Sequence, residues 1–347
     1  MIDPRLNFRE FASSIKAAVD RELGIWLAPR IERARSLGGA TSALSESIQK
    51  FVTGGGKRVR AVLVAAACEG YGGPAAASVL PALLSVELLH AYLLIHDDWI
   101  DEDDVRRGAP TVHAMLREHY RSVRMGEMGA VLAGDLVAGY ALEALSETRV
   151  SPERLADSLR EFTRMSVDVV LGQTLDVYKD EDVETMHDLK TTSYSVRGPL
   201  LLGASLAGAS AAQKADLEAF AWPLGLAFQL RDDLLGTFGD PKKTGKSCAN
   251  DLRQGKRTAL VQELLSGDPS PEDRALMARV LGVENASSED IGRVLERFST
   301  SGARDRAEAR LRALLEDARS RLVRMDLEPA ARNLLTGAVS ALGERDQ

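Results

Sequence analysis

Residues 90–108, HAYLLIHDDWIDEDDVRRG, join an apolar run of helical character to six carboxylates among the eight residues from Asp97 to Asp104. Two arginines, Arg106 and Arg107, and then Gly108 follow at once. Asp97, Asp98 and Asp101 stand at i, i+1 and i+4, so Asp97 and Asp101 share one helical face. Two unit charges about 5–6 Å apart repel by roughly 3 kcal/mol at an effective dielectric near 20. A solvated acidic helix tolerates such repulsion, because water and salt screen it. These acids instead end a helix that reads as buried, where a divalent cation is the natural compensation. Hard oxygen ligands on a rigid helix suit Mg²⁺, which keeps several waters and shares its remaining positions with substrate phosphates. The adjacent arginine pair places phosphate-binding side chains beside metal-binding ones.

Working outward, Phe8–Leu37 is expected to be a helix that stops at Gly38-Gly39, and a second one, Ser42–Val52, ends at Gly54-Gly55-Gly56. Lys57-Arg58-Val59-Arg60 follows and opens the apolar helix Ala61–Gly70. Three glycines before a basic cluster invite a P-loop reading, but its spacing and its Ser/Thr after the lysine are missing. What remains is a turn that brings backbone N–H groups, Lys57 and Arg60 to one helix N-terminus, with Lys57 and Arg60 expected on one face. A basic first turn is electrostatically unfavourable in itself, which favours a function over a bland role.

Downstream of the acidic run, Pro110–Met125 is expected as one helix, with His113 and His119 in structural roles. Gly129–Leu145 and Pro152–Lys179 follow, the latter interrupted by the polar face Gly172-Gln173-Thr174-Leu175-Asp176. Met186–Ala207 carries Lys190-Thr191 near its start and Pro199 inside, where a kink is expected. Leu217–Phe238 bears a second acidic site, Gln229 with Asp232-Asp233. A polar loop with Gly245-Lys246 leads to Lys256, and Pro271–Gln347 reads as packing helices. No alternating strand pattern survives, so one all-α domain over residues 1–347 is expected. Its motif-bearing core covers about 45–260, and the packing helices about 271–347.

Composition bounds the function. With 44 Lys+Arg against 51 Asp+Glu the net charge is −7, which gives no reason to expect a nucleic-acid partner. Two cysteines, Cys68 and Cys248, lack metal-like spacing and fit a reducing compartment. The longest apolar stretch, Pro81–Ile95, is broken by Glu87 and His90 and is short for a bilayer span. A soluble, cytoplasmic protein without stable membrane insertion is expected.

In order along the chain, Gly55-Gly56-Lys57-x-x-Arg60, Asp97-Asp98-x-x-Asp101 with Arg106-Arg107-Gly108, Gly172-Gln173-x-x-Asp176, Lys190-Thr191, Gln229-x-x-Asp232-Asp233 and Gly245-Lys246 resemble the trans-isoprenyl diphosphate synthases, or polyprenyl synthetases. The resemblance implies an all-α bundle of mostly antiparallel helices around a deep cavity, usually as a homodimer. It implies head-to-tail coupling of an allylic diphosphate to isopentenyl diphosphate, by Mg²⁺-assisted ionisation, condensation and proton loss. Carried over by position, Asp97 and Asp101 would bind two Mg²⁺ ions and Asp232 a third, with Asp98 completing the first motif. Arg106, Lys190 and Lys246 would hold the allylic diphosphate, with Lys256 nearby. Lys57, Arg60, His90 and Arg107 would hold isopentenyl diphosphate, while Thr191 and Gln229 face the allylic cation.

One departure stands out. The second site of the family commonly reads Asp-Asp-x-x-Asp, whereas this chain has Gly236 in the last position. That puts the affinity of the third metal in doubt, with Asp240 a remote substitute. A class I terpene cyclase would leave Lys57, Arg60 and the arginine pair unexplained. A non-catalytic regulatory subunit of a heteromeric synthase would draw its support from Gly236. Product length is expected to be read on the helix before Asp97. Leu93 and Tyr92 lie four and five residues earlier, roughly 6–7.5 Å along the axis, and an isoprene unit is about one helical pitch long. Tyr92 is then either a floor that stops elongation at farnesyl or geranylgeranyl diphosphate, or a packed core residue.

Overall fold

A computed structural model describes residues 4–178, 183–239 and 248–343. The expected all-α architecture is what these residues adopt. Helices α1 (Pro4–Leu37), α2 (Gly39–Thr53) and α3 (Val59–Gly70) lead to a short 3₁₀ turn and then α4 (Leu80–Ile100). Next come α5 (Val112–Tyr120), α6 (Val123–Ser146) and α7 (Pro152–Tyr178). A short α8 (Val183–His187) runs into a π-helical segment, Asp188–Arg197, and on into α9 (Gly198–Ala207). The chain continues with α10 (Ala211–Phe238), α11 (Cys248–Gln254), α12 (Ala259–Ser266), α13 (Pro271–Val280), α14 (Ser288–Thr300), α15 (Ala303–Arg324) and α16 (Pro329–Gly343).

The middle of the bundle is made by the most apolar helices. In α3 every side chain from Ala61 to Cys68 is buried, and Leu83, Leu88 and Ile95 of α4 are fully enclosed. α4 packs along α6, α3 along α9, and α10 against both the π-helical segment and α15. Surrounding α4 in this way brings the acidic end of one core helix into the interior. Ala76–Ile100 and Val123–Ser146 are long and apolar enough to cross a membrane by length and composition alone. The first of them is mostly buried within the bundle, as a core helix is. The expectation of a stretch too short to span took in only Pro81–Ile95, and the helix runs on to Ile100.

Local sequence explains where the elements differ from expectation. The helix expected over Pro110–Met125 is two helices. Arg121 takes a left-handed backbone (φ 51°), and the Ser122 hydroxyl then accepts from the Met125 N–H to start α6. A strand pair also exists, two residues on each side, with Val105 opposite Pro110 and Arg106 opposite Ala109. It is too short for alternation to show in a sequence.

Pro199 does not kink a helix from within. It stands in the first turn of α9, where its missing N–H is harmless, and the wide π turn ends just before it. Close approach by two neighbouring helices holds that segment. A Cβ on Gly172 of α7 would lie 2.2 Å from the Lys190 backbone nitrogen, and one on Gly225 of α10 would lie 2.3 Å from Thr192 Cγ2. Only glycine permits either contact.

One surface stands apart. Met125, Met128 and Leu132 of α6, with Val167 and Leu171 of α7, are large apolar side chains each more than 40% exposed. Their spacing puts them on the outer faces of two long helices, in contrast to the buried faces behind them.

Candidate active site

Asp101 is the C-cap of α4, and its N–H donates to the Asp97 carbonyl at 2.8 Å, so the helix continues far enough to bring both carboxylates to one side. Each faces a lysine. Asp97 Oδ1 accepts from Lys190 Nζ at 3.3 Å and from Gln173 Nε2 at 3.2 Å. Asp101 Oδ2 accepts from Lys256 Nζ at 2.6 Å. Burial, and then the Asp97 charge, raise the Asp101 pKa against the pull of Lys256. Burial alone would lower Lys190, but Asp97, Asp176 and Asp101 outweigh it and leave the ammonium firmly protonated. Lys256 is raised in the same way by Asp101 and Asp251.

Asp98 points elsewhere. Its side chain is fully buried, and burial pushes its pKa up to about 7 despite Arg106, whose Nε donates to Asp98 Oδ1. Expected among the catalytic acids, Asp98 is therefore the anchor of an arginine. Arg106 Nη2 is left 3.6 Å from Asp97 Oδ2, at the edge of the acidic pair. The i, i+1 spacing dictates this division, since successive helical residues face about 100° apart.

The π-helical segment supplies the next layer. Lys190 Nζ also donates to Asp176 of α7, and Thr191 Oγ1 donates to Gln229 Oε1 of α10 at 2.7 Å. Gln229 Nε2 in turn donates to Asp233 Oδ1 at 2.7 Å, while Asp233 Oδ2 accepts from the Ala259 N–H at 2.8 Å. Asp233 thus holds Gln229 in place and caps the start of α12, three residues beyond Lys256. Asp232 is half-buried one position earlier on α10.

The basic loop is built differently from expectation. Arg58 takes a left-handed backbone (φ 51°), and α3 begins only after it, so Lys57 lies in the loop and does not share a helical face with Arg60. The physical reason is the Arg58 side chain. It is drawn inward to half-buried Asp20 at 2.8 Å and to buried Glu87 at 3.4 Å, and breaking a buried pair such as the latter costs about 3–5 kcal/mol in comparable cases. Arg60 stays on the site side. Its Nη2 donates to Ser195 Oγ at 2.6 Å, and its guanidinium lies 4.3 Å over the Tyr194 ring. The His90 ring is 6.0 Å from the same tyrosine. Arg60 Nε and His90 Nδ1 are buried and find no hydrogen-bond partner among the described residues. Burial, and then Arg60, Arg107 and Arg106, hold His90 well below its ordinary pKa, so it is neutral. Arg107 reaches across to donate to the Gly55 carbonyl, which ties the loop after the acids to the glycine turn. Burial, with Arg106 and Arg58 close by, lowers the Arg107 pKa, the mark of a crowded cationic patch that an anion would relieve.

Beneath the acids a cavity of about 280 Å³ opens between α4 and α7. Asp97, Gln173 and Lys190 stand at its polar end, and Tyr92, Leu93 and Val169 are among the apolar residues below them. Both residues expected to govern chain length therefore line it.

The donor set suits Mg²⁺, since hard carboxylates on one rigid face are what that ion accepts. Among the described residues no three metal-ligating side chains converge on one point. A metal here would draw its remaining ligands from water and from substrate oxygens. Lys246, Gly245 and Asp240 lie outside the described residues. Sequence reasoning missed Tyr194 and Ser195, which meet Arg60, and assigned no role to Gln173 or Asp176, although the polar break at 172–176 pointed to them.

The polyprenyl synthetase family model matches residues 41–298. A geranylfarnesyl diphosphate synthase of Aeropyrum pernix is 32% identical over 87% of this chain and 94% of its own length. A geranylgeranyl diphosphate synthase of Sulfolobus acidocaldarius is 30% identical over 78% of this chain and 82% of its own. In structure, a geranylgeranyl pyrophosphate synthase from Corynebacterium glutamicum, complexed with isoprenyl diphosphate and magnesium, superposes with a TM-score of 0.88 at 32% identity, over 97% of this chain and 99% of that one. The chain belongs to the polyprenyl synthetase family. It is a trans-prenyltransferase of the short-chain isoprenyl diphosphate synthase group.

Proposed function

We propose that this enzyme couples an allylic diphosphate to isopentenyl diphosphate in the cavity between α4 and α7, and that it stops at a short product, with geranylgeranyl diphosphate favoured over farnesyl. The observation that carries the reading is the polarity of that cavity. One carboxylate (Asp97), one lysine (Lys190) and one amide (Gln173) meet at one end, and mostly apolar side chains with Tyr92 among them line the rest.

The residues divide by chemistry. Mg²⁺ bound at Asp97 and Asp101, with a third ion at Asp232, would neutralise the charge that develops on the leaving diphosphate. Lys190 and Arg106 face the same position as fixed cations, preorganised by Asp176 and Asp98, so no reorganisation is needed as charge develops. Lys246 and Lys256 would complete that grip. Lys57, Arg60, His90 and Arg107 take isopentenyl diphosphate. The unpaired Arg60 Nε and the crowded Arg107 support this, because an anion would satisfy both. Thr191 and Gln229 present oxygen dipoles, joined to each other, towards the allylic carbon. The apolar walls exclude water from the cation, and the double bond of the second substrate attacks without any side-chain nucleophile.

The chain is read as one domain that works as a cytoplasmic homodimer. The exposed apolar side chains on the outer faces of α6 and α7 support this, because a second copy would cover them. The reading is tested by incubating purified protein with isopentenyl diphosphate, each allylic diphosphate and Mg²⁺, and sizing the products. A hydrocarbon product would indicate a cyclase, and no product a regulatory subunit.

A further inference from the structure

His96 lies between the two features already described, one residue before Asp97 and one helical turn beyond Tyr92. Its ring forms part of the cavity wall. Three contacts fix it there. Nε2 lies 3.2 Å from the Val131 carbonyl of α6, so that nitrogen carries the proton and donates. The ring meets Tyr92 edge-on, with centroids 5.0 Å apart and planes at 74°. Its back rests on Gly134 of α6, where a Cβ would stand 2.0 Å from Nε2, 2.3 Å from Cδ2 and 2.8 Å from Cε1. Real Cβ atoms do not approach so closely, so the slot that receives the imidazole exists only because residue 134 has no side chain.

Resting on the prenyl-transfer reading above, we propose that His96 is a specificity-determining residue for product length, and that Gly134 sets how far its ring stands into the cavity. With α6 behind the ring and Tyr92 beside it, the open direction is the cavity itself. A methyl group at position 134 must push the imidazole that way and narrow the shaft close to Asp97. Removing the imidazole has the opposite effect: it widens the shaft and takes away the edge contact that holds Tyr92. The two helices thus set chain length together, through one ring and one missing side chain.

The test sizes the products of the full-length enzyme and of His96→Ala, Gly134→Ala and the double variant His96→Ala/Gly134→Ala, each with isopentenyl diphosphate, Mg²⁺ and dimethylallyl, geranyl or farnesyl diphosphate. His96→Ala is expected to extend the products by at least one isoprene unit. Gly134→Ala is expected to shorten them, and to lower kcat/KM for farnesyl diphosphate at least fivefold more than for dimethylallyl diphosphate. In the double variant the clash is absent, so it should fold as the parent does by circular dichroism and thermal unfolding, and give the long products of His96→Ala. It decides the matter if Gly134→Ala alone is too unstable to purify. Parental product lengths from both His96→Ala and the double variant overturn the inference, as does a folded Gly134→Ala whose products are unchanged or longer. A parent enzyme that forms no prenyl product at all would overturn the functional reading itself, a result distinct from either.

Discussion

Lys256 Nζ donates to Asp101 Oδ2 at 2.6 Å, across 155 positions of sequence. Gln254 Nε2 reinforces the link by donating to the Asp101 carbonyl at 2.7 Å. The segment entering α12 is therefore tied to the end of α4, while Asp233 holds the other side of that entry through the Ala259 N–H. The first acidic motif and the second acidic helix are parts of one electrostatic assembly.

Asp101→Ala and Asp97→Ala should each reduce kcat/KM by about 100-fold or more, in keeping with about 3 kcal/mol of lost leaving-group stabilisation. Asp103→Ala should be far milder, because Asp97 and Asp101 each accept from a site lysine, Lys190 and Lys256, whereas Asp103 bonds to neither. Steady-state kinetics of the three variants decides it. Equal and small effects would return the acidic run to the status of a solvated charge cluster.

The two diphosphate positions should separate kinetically. Arg60→Ala should chiefly raise KM for isopentenyl diphosphate, since Arg60 is held by Tyr194 and Ser195 on the side of His90. Arg106→Ala should chiefly impair the allylic partner, because Arg106 lies beside Asp97. Identical effects on both substrates would contradict the two-position assignment.

Gly236→Asp supplies the carboxylate at the fifth and last position of the second motif. Apart from its chain neighbours and its own helix backbone, no atom of the described residues lies within 4 Å of where its Cβ would stand, so the side chain has room. The Mg²⁺ concentration giving half-maximal rate should fall. An unchanged or higher requirement would mean that the position is completed from elsewhere, with Asp240 the first candidate.

Tyr92→Ala should lengthen the products while leaving the Mg²⁺ requirement alone, because Tyr92 lines the cavity more than one helical turn below the acids. Chromatographic sizing checks this. An active variant with parental products would mean that another wall stops elongation.

His90 gives a pH prediction with a definite sign. Its folded pKa lies well below its ordinary 6.5. The unfolded chain therefore takes up the proton first as pH falls. The stability contributed by neutral His90 is present above about pH 6.5 and is lost as pH drops towards the depressed value. Urea unfolding at pH 7 and pH 5 should show a larger loss for the parent than for His90→Gln. Equal losses would show that the ring titrates normally.

The sequence by itself determined the helical class, the order of the motifs and, through the family they resemble, the reaction they serve. Helical periodicity, glycine stops and runs of like charge are local properties, and a divalent metal is the local answer to Asp97 beside Asp101. The missing carboxylate at Gly236 was legible only through the resemblance to the family's second motif. What only the tertiary structure decided is which side chains face the cavity and which support it. Asp98 looks like its neighbour Asp97, yet its rotation about the helix buries it against Arg106. Arg58 looks like Arg60, yet its left-handed backbone, half-buried Asp20 and buried Glu87 take it into the core. Tyr194 joins the site because a π turn, held between two glycines of other helices, presents it to Arg60 and His90. The Arg58 and Tyr194 outcomes depend on partners tens to more than a hundred residues away, and pairing over such distances is fixed by packing, which no local pattern encodes.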